Sequence, residues 1–131
     1  MVDTGPLVAA ALVDDPDHDE CVAWFEQVTG SLVVPDLVIP EVCYLLATGA
    51  RTHIEIDFLR SVVGHRLAIE HVDGSDIQRM IELVEIYADL RLGAVDASVV
   101  AVAERLAGVS GLSVVDPASS LVKVGLSGRP V

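Results

Sequence analysis

The sequence predicts an α/β domain with a mainly parallel sheet, and three observations predict it. Leu32-Val33-Val34, Leu67 to Val72 and Leu112 to Val115 are short apolar runs that read as strands. Helical patterns with cap signals lie between them. The two kinds of segment alternate along the chain, as strand–helix–strand units do, rather than falling into separate blocks. A length of 131 residues suits one domain with a real core.

Each element has its own signal. Val2-Asp3 reads as the end of a short buried first strand. Pro6 suits the first helical position, so Gly5 to Leu12 is expected as a short helix that Asp14-Asp15-Pro16 breaks. Asp17 with Glu20 has capping-box spacing and opens a helix with Val22, Phe25 and Val28 on one side. Asp36 is a candidate cap for a helix running toward Ala47, with Pro40 tolerated in its first turn. Thr52 with Glu55 repeats the box ahead of Phe58, Leu59 and Val62. Ser75 with Gln78 is expected to cap a long helix through Ile77, Ile81, Val84 and Tyr87. Arg91-Leu92-Gly93 is a turn, and Val95 to Leu106 a helix stopped at Gly108.

The composition narrows the function classes. The hydrophobic fraction is 52% and the mean hydropathy +0.55. Charged residues nevertheless interrupt every run before the ~18 residues of a membrane helix. The start lacks a basic segment, so no signal peptide is expected, and the chain is expected in the cytoplasm without a membrane partner. Net charge is −12, from 20 acidic and 8 basic residues. A protein that grips nucleic acid by neutralising phosphates is usually basic. If the chain acts on nucleic acid, bound cations or a basic partner must supply that charge, and an acidic surface is equally consistent with no nucleic-acid role. Cys21 and Cys43 lack metal-ligand or redox spacing, and His18, His53, His65 and His71 are scattered. Buried reduced thiols are expected rather than zinc or a disulfide framework.

Four carboxylates carry the functional signal. Asp3, Glu41, Asp96 and Asp116 each stand at the end or flank of a different apolar element. Carboxylates avoid apolar surroundings unless paired or bound to a cation. Parallel sheets place sites beyond the carboxyl ends of their strands, where Asp3 and Asp116 are expected. Convergence on one hard ion, Mg²⁺ or Mn²⁺, follows as a candidate, because such ions take oxygen ligands. Each residue also has an ordinary use. Asp3 can be a strand-end carboxylate and Thr4 a helix cap. Glu41 can offset a helix dipole, Asp96 can cap its helix, and Asp116-Pro117 can be turn chemistry. Asp3-Thr4-Gly5 is also the signature tripeptide of aspartic proteases. Those need two such aspartates in an all-β architecture, or a homodimer of one, and neither the helices nor the single copy here suit them. Nucleophilic use of Asp3 in a metabolic enzyme finds no support, with no second Asp two residues on and no phosphate-loop lysine.

In order, Val2-Asp3-Thr4-Gly5-Pro6-Leu7-Val8, Val38-Ile39-Pro40-Glu41-Val42 and Arg91 through Leu106 resemble the PIN-domain family, and within it the VapC-type toxins of toxin–antitoxin pairs. The resemblance implies a PIN-like three-layer α/β/α domain over residues 1–116. It implies a Mg²⁺- or Mn²⁺-dependent endoribonuclease that cuts structured RNA such as tRNA or rRNA. It implies a homodimer, and a VapB-type antitoxin that lays a helix or extended tail into a groove. Carried over by position, Asp3, Glu41 and Asp96 are metal ligands and catalytic residues, and Asp116 matches the fourth acidic position. Thr4 is the supporting hydroxyl, and Arg91 contacts RNA or antitoxin.

The tail, 117–131, departs from that pattern. Such toxins carry a basic, aromatic-containing turn after the last strand, and here Asp116 is followed by Pro117-Ala118-Ser119-Ser120-Leu121. One hypothesis is a shifted reading frame. With codons GAC-CCG-GCG-TCA-TCN, loss of one C reads Asp-Arg-Arg-His, and a gene without that run in the neighbouring frame would rule it out. A second expectation follows from the same tail: a catalytically impaired homologue that only binds an antitoxin.

Overall fold

A computed structural model describes residues 1–48, 51–64 and 67–106, with the backbone of 114–115 and 123–124. Asp116, Gly108, His65 and the tail other than the backbone of 123–124, on which several expectations rest, lie outside the described residues. The elements run α1 (Thr4–Ala11), α2 (His18–Gln27), β1 (Leu32–Pro35), α3 (Val38–Ala47), α4 (Thr52–Val63), β2 (Leu67–Glu70), α5 (Gly74–Ile86), a 3-10 turn (Ala88–Leu90), α6 (Ala94–Leu106), β3 (Val114–Val115) and β4 (Lys123–Val124).

The alternation of strand and helix is as expected, and β1 pairs with β2 in parallel, Leu32 opposite Leu67 and Pro35 opposite Glu70. Beyond the last pair, the Asp36 N–H donates to the Glu70 carbonyl at 2.8 Å. β3 and β4 form a short antiparallel pair, Val114 opposite Val124. Val2, expected in a first strand, donates its N–H to the Val33 carbonyl at 2.9 Å but is not assigned to a strand. It still brings Asp3 to the edge of β1.

The core explains the packing. Val2, Val34, Val38, Val42, Leu46 and Val102 are fully buried. Each stabilises the fold by roughly 1.5–3 kcal/mol relative to exposure. In α3 the spacing Val38, Val42, Leu46 is a single helical stripe, and it joins the main core with Leu7 of α1, Val34 of β1 and Phe58 of α4. α4 packs on α3 and β2. α6 has two working faces. Val99, Val102 and Ala103 enter the main core, while Ala97 and Ala101 meet Met80 and Leu83 of α5. Small residues on that second face let the two helices approach closely.

Four cap expectations are corrected. The Asp17 side chain makes no cap bond, and its N–H is instead taken by the Asp15 carboxylate at 2.9 Å. Arg51 precedes α4 and Thr52 is its first residue, so the Thr52–Glu55 box does not form. Asp36 does not cap α3, whose preceding residue is Leu37; its carboxylate bridges to the Val72 N–H and the His71 ring, each at 3.2 Å. Asp73 and Asp76, not Ser75 and Gln78, make the reciprocal box of α5. Ionised acceptors hold backbone N–H groups more strongly than a hydroxyl does, and the Ser75 hydroxyl is itself spent as a donor to Asp73 at 2.6 Å.

Candidate metal centre

Three of the singled-out carboxylates stand at helix N-termini. Asp3 precedes α1 in extended backbone, and its carboxylate accepts from the Thr4 N–H at 2.6 Å. Thr4 is therefore the first helical residue rather than the cap. Glu41 lies in the first turn of α3, one residue after Pro40, where a missing N–H costs nothing. Asp96 lies in the first turn of α6. That helix begins at Ala94, with the Gly93 carbonyl accepting from Ala97 N–H at 2.9 Å, so Asp96 does not cap it. The partial positive charge of a helix start suits an acidic side chain at that place in the chain.

The structure joins two of these starts. The Thr4 hydroxyl, on a buried residue, donates to Glu41 across a sequence separation of 37. Through Thr4, the Asp3 end of α1 and the Glu41 end of α3 share one corner. Asp96 is exposed, and its Oδ2 lies 3.8 Å from where a Cβ on Gly93 would sit. Its carboxylate thus folds back over the turn before its helix. α6 packs against α3 and β1. Among the described residues, Asp96 has no hydrogen bond or ion pair, and no three His, Cys, Asp or Glu side chains gather closely enough to hold a metal ion.

The donor chemistry fits a hard cation. Asp3, Glu41 and Asp96 offer only oxygen, and neither cysteine is near metal-ligand use. Cys21 is buried and Cys43 half-buried, and burial followed by the nearby Glu55 pushes the Cys43 thiol up. Arg91 is exposed on the turn ahead of α6, with left-handed backbone at φ 53 and ψ 45.

A PIN domain family model matches residues 1–110 of the chain. The chain belongs to the PIN-domain family. Ribonuclease VapC26 of Mycobacterium tuberculosis (strain ATCC 25618 / H37Rv) is 30% identical over 105 residues, which is 80% of this chain and 78% of that protein. The crystal structure of Mycobacterium tuberculosis VapC20, a sarcin-ricin loop cleaving toxin, superposes with a TM-score of 0.74 at 17% identity, over 79% of this chain and 80% of that one. This PIN-domain protein is thus of the VapC type, and its α/β fold is that of VapC20. Asp3, Thr4, Glu41, Arg91 and Asp96 fall inside the matched span, and Asp116 falls beyond it.

One acidic centre of this PIN domain was missed by the sequence reading. Asp76 is 2% exposed and pairs with Arg105, which also reaches Glu70. The signal was present as Asp73-x-x-Asp76 before an apolar run, but Ser75 drew the box two residues too late. No described helix is long and apolar enough to cross a membrane.

Proposed function

We propose that this chain is a metal-dependent endoribonuclease toxin that hydrolyses phosphodiester bonds of structured RNA, tRNA or rRNA, and is neutralised by a VapB-type antitoxin. The observation that carries the reading is the Thr4–Glu41 hydrogen bond within a VapC-type PIN domain, because it brings two helix-start carboxylates into one corner. Asp3, Glu41 and Asp96 would hold Mg²⁺ or Mn²⁺, with Asp116 as the fourth acidic residue. Such an ion, when bound, supplies charge stabilisation for the pentavalent phosphorus and activates water. The chain's own groups do the rest. Thr4 fixes the Glu41 carboxylate. α6 holds Asp96 where an RNA strand can approach from solvent.

The partners follow the same reading. A groove of about 620 Å³ opens between α1, α2 and α4, lined by Leu7, Ala11, Phe25, Ile54 and Phe58. Its apolar lining suits a helix of the antitoxin. A homodimer belongs to this reading, and sedimentation that returned only the 13.8 kDa monomer would remove it. The purified chain should cut a total-RNA pool with Mg²⁺ or Mn²⁺ and lose that activity in Asp3→Ala and Asp96→Ala. No cleavage of any pool, together with normal growth on induced expression, would sink the nuclease reading.

The family match ending at residue 110, before Asp116 and the neutral Pro117-Ala118-Ser119-Ser120-Leu121 turn, favours a second reading. In it the chain captures an antitoxin without cutting RNA. Antitoxin binding retained by a chain that cuts no RNA would select it, and failure to bind the product of the adjacent gene would reject it.

A further inference from the structure

We propose that Arg91 grips a phosphate of the RNA backbone next to the one being cut, and so positions the strand against Asp96. The proposal rests on the nuclease reading and gives it a binding contact in an acidic chain.

Charge pairing is the first observation. Five arginines have described side chains, Arg51, Arg60, Arg79, Arg91 and Arg105. Arg51 meets Asp14 at 3.1 Å and Arg60 meets Asp57 at 3.4 Å. Arg79 meets Glu104 at 2.8 Å and Glu82 at 2.9 Å. Arg105 meets both Asp76 and Glu70 at 2.9 Å. Among the described residues, Arg91 alone has no carboxylate partner, in a chain with 20 acidic residues to choose from. A guanidinium left open in such surroundings is available to an outside anion.

The backbone gives the second observation. Arg91 is the one non-glycine residue with positive φ among the described residues. Glycine or asparagine would serve that turn at lower steric cost. The turn therefore does not account for an arginine. Its side chain does, if something outside the chain binds it.

Placement is the third. The Asp96 carboxylate sits over Gly93, two residues after Arg91. Two peptide steps span at most about 7.6 Å between Cα atoms. The open acid and the open base thus flank one turn. A guanidinium matches a phosphate with two parallel N–H donors. A net charge of −12 would repel RNA, so an arginine beside Asp96 that is unpaired among the described residues sets where the strand can rest.

The test uses the full chain with Mn²⁺ and a fluorescent hairpin RNA, read by anisotropy over a salt series and by cleavage kinetics. Arg91→Gln and Arg91→Gly should weaken binding about tenfold or more, mainly through KM. The plot of log affinity against log salt should become shallower by about 0.7–0.9, the value of one phosphate contact. Arg91→Lys should keep the salt slope. Arg91→Gly relieves the backbone, so it should melt no lower than the parent, which separates the charge from the turn. Binding by Arg91→Gln that matches the parent at every salt concentration would overturn the proposal. So would loss of antitoxin binding with RNA binding intact, which would assign Arg91 to the protein partner. If the parent binds the hairpin through Arg91 but never cuts it, the nuclease reading fails and this contact stands. If the parent binds no RNA, both fail.

Discussion

The two ends of α6 carry the same chemistry in opposite states. At the C-terminal end, Arg105 donates to both Asp76 oxygens at 2.9 and 3.1 Å, to Glu70 at 2.9 Å and to the His71 carbonyl at 3.2 Å. Asp76 also accepts from the Asp73 N–H at 3.0 Å. Its hydrogen bond, then that of Glu70, hold the Arg105 guanidinium well above its ordinary pKa. At the N-terminal end, Asp96 and Arg91 flank one turn, and neither has an ion pair among the described residues. Only the C-terminal end ties α6 to its surroundings through paired charge. An acidic residue stabilises a fold when the chain supplies its counter-charge, and it awaits a ligand when the chain does not.

The largest expected effect tests the open end. Asp96→Asn keeps the side chain's shape and removes its charge. Cleavage should fall by about 10²–10³-fold or more, the scale of losing one electrostatic group at a reaction centre. Stability should stay within about 0.5 kcal/mol, as for an exposed surface change. The comparison breaks if Asp96→Asn unfolds the chain.

Asp76→Asn tests the closed end and should invert that outcome. Breaking a fully buried pair costs about 3–5 kcal/mol. Arg105 is 29% exposed and reaches Glu70 as well, so about 2–3 kcal/mol is expected after allowing for solvent screening. Urea unfolding reads it directly. Cleavage by the folded fraction should remain near the parent value. A cleavage loss at unchanged stability would place Asp76 in the functional site and remove the distinction.

Thr4→Val tests the link between α1 and α3. It removes a hydroxyl that donates to a carboxylate in a buried place. A hydrogen bond to a charged group is worth about 1.5–3 kcal/mol. Thr4→Ser keeps that bond. The valine form should therefore be less stable and cleave more slowly than the serine form. Equal cleavage in the two would show that the Glu41 carboxylate needs no such support.

The sequence made the fold legible where one local signal decided the outcome. Periodicity placed Val38, Val42 and Leu46 on one stripe, and Pro40 limited how far the start of α3 could move. Cap chemistry was harder to read, because several polar residues compete at each helix start. Ser75 fits a capping template, yet Asp73 and Asp76 form the box, and the difference rests on charge-assisted bonds and on Arg105, 29 positions after Asp76. Asp36 likewise left its expected helix for His71 and Val72, because the parallel pairing of β1 and β2 delivers them to it. At the candidate site the residue types were legible, as was their position at element ends. The hydroxyl bridge from Thr4 to Glu41 was not, since it depends on how α1 packs on α3. Arg91 stood out in the sequence only by resemblance, and its lack of a partner is visible only once the other guanidiniums are seen paired.

The smallest expected effect lies again beside the closed end, in its response to acid. The Ser75 hydroxyl, followed by the Asp76 N–H, holds the Asp73 carboxyl below its ordinary range. A carboxyl depressed in the folded state adds stability above its unfolded pKa and loses it as pH falls through the folded one. Ser75→Ala removes the larger cause and lets the folded pKa rise. The variant should match the parent most nearly at low pH, where Asp73 is protonated in both states. It should trail the parent by a small, constant amount once the pH exceeds the unfolded aspartate range. Asp73 is exposed, so solvent screens most of the difference. Urea midpoints taken from neutral pH downward would show it. A gap that widened on acidification would mean that Ser75 acts on the protonated carboxyl instead. The closed end would then owe its stability to neutral hydrogen bonds rather than to paired charge.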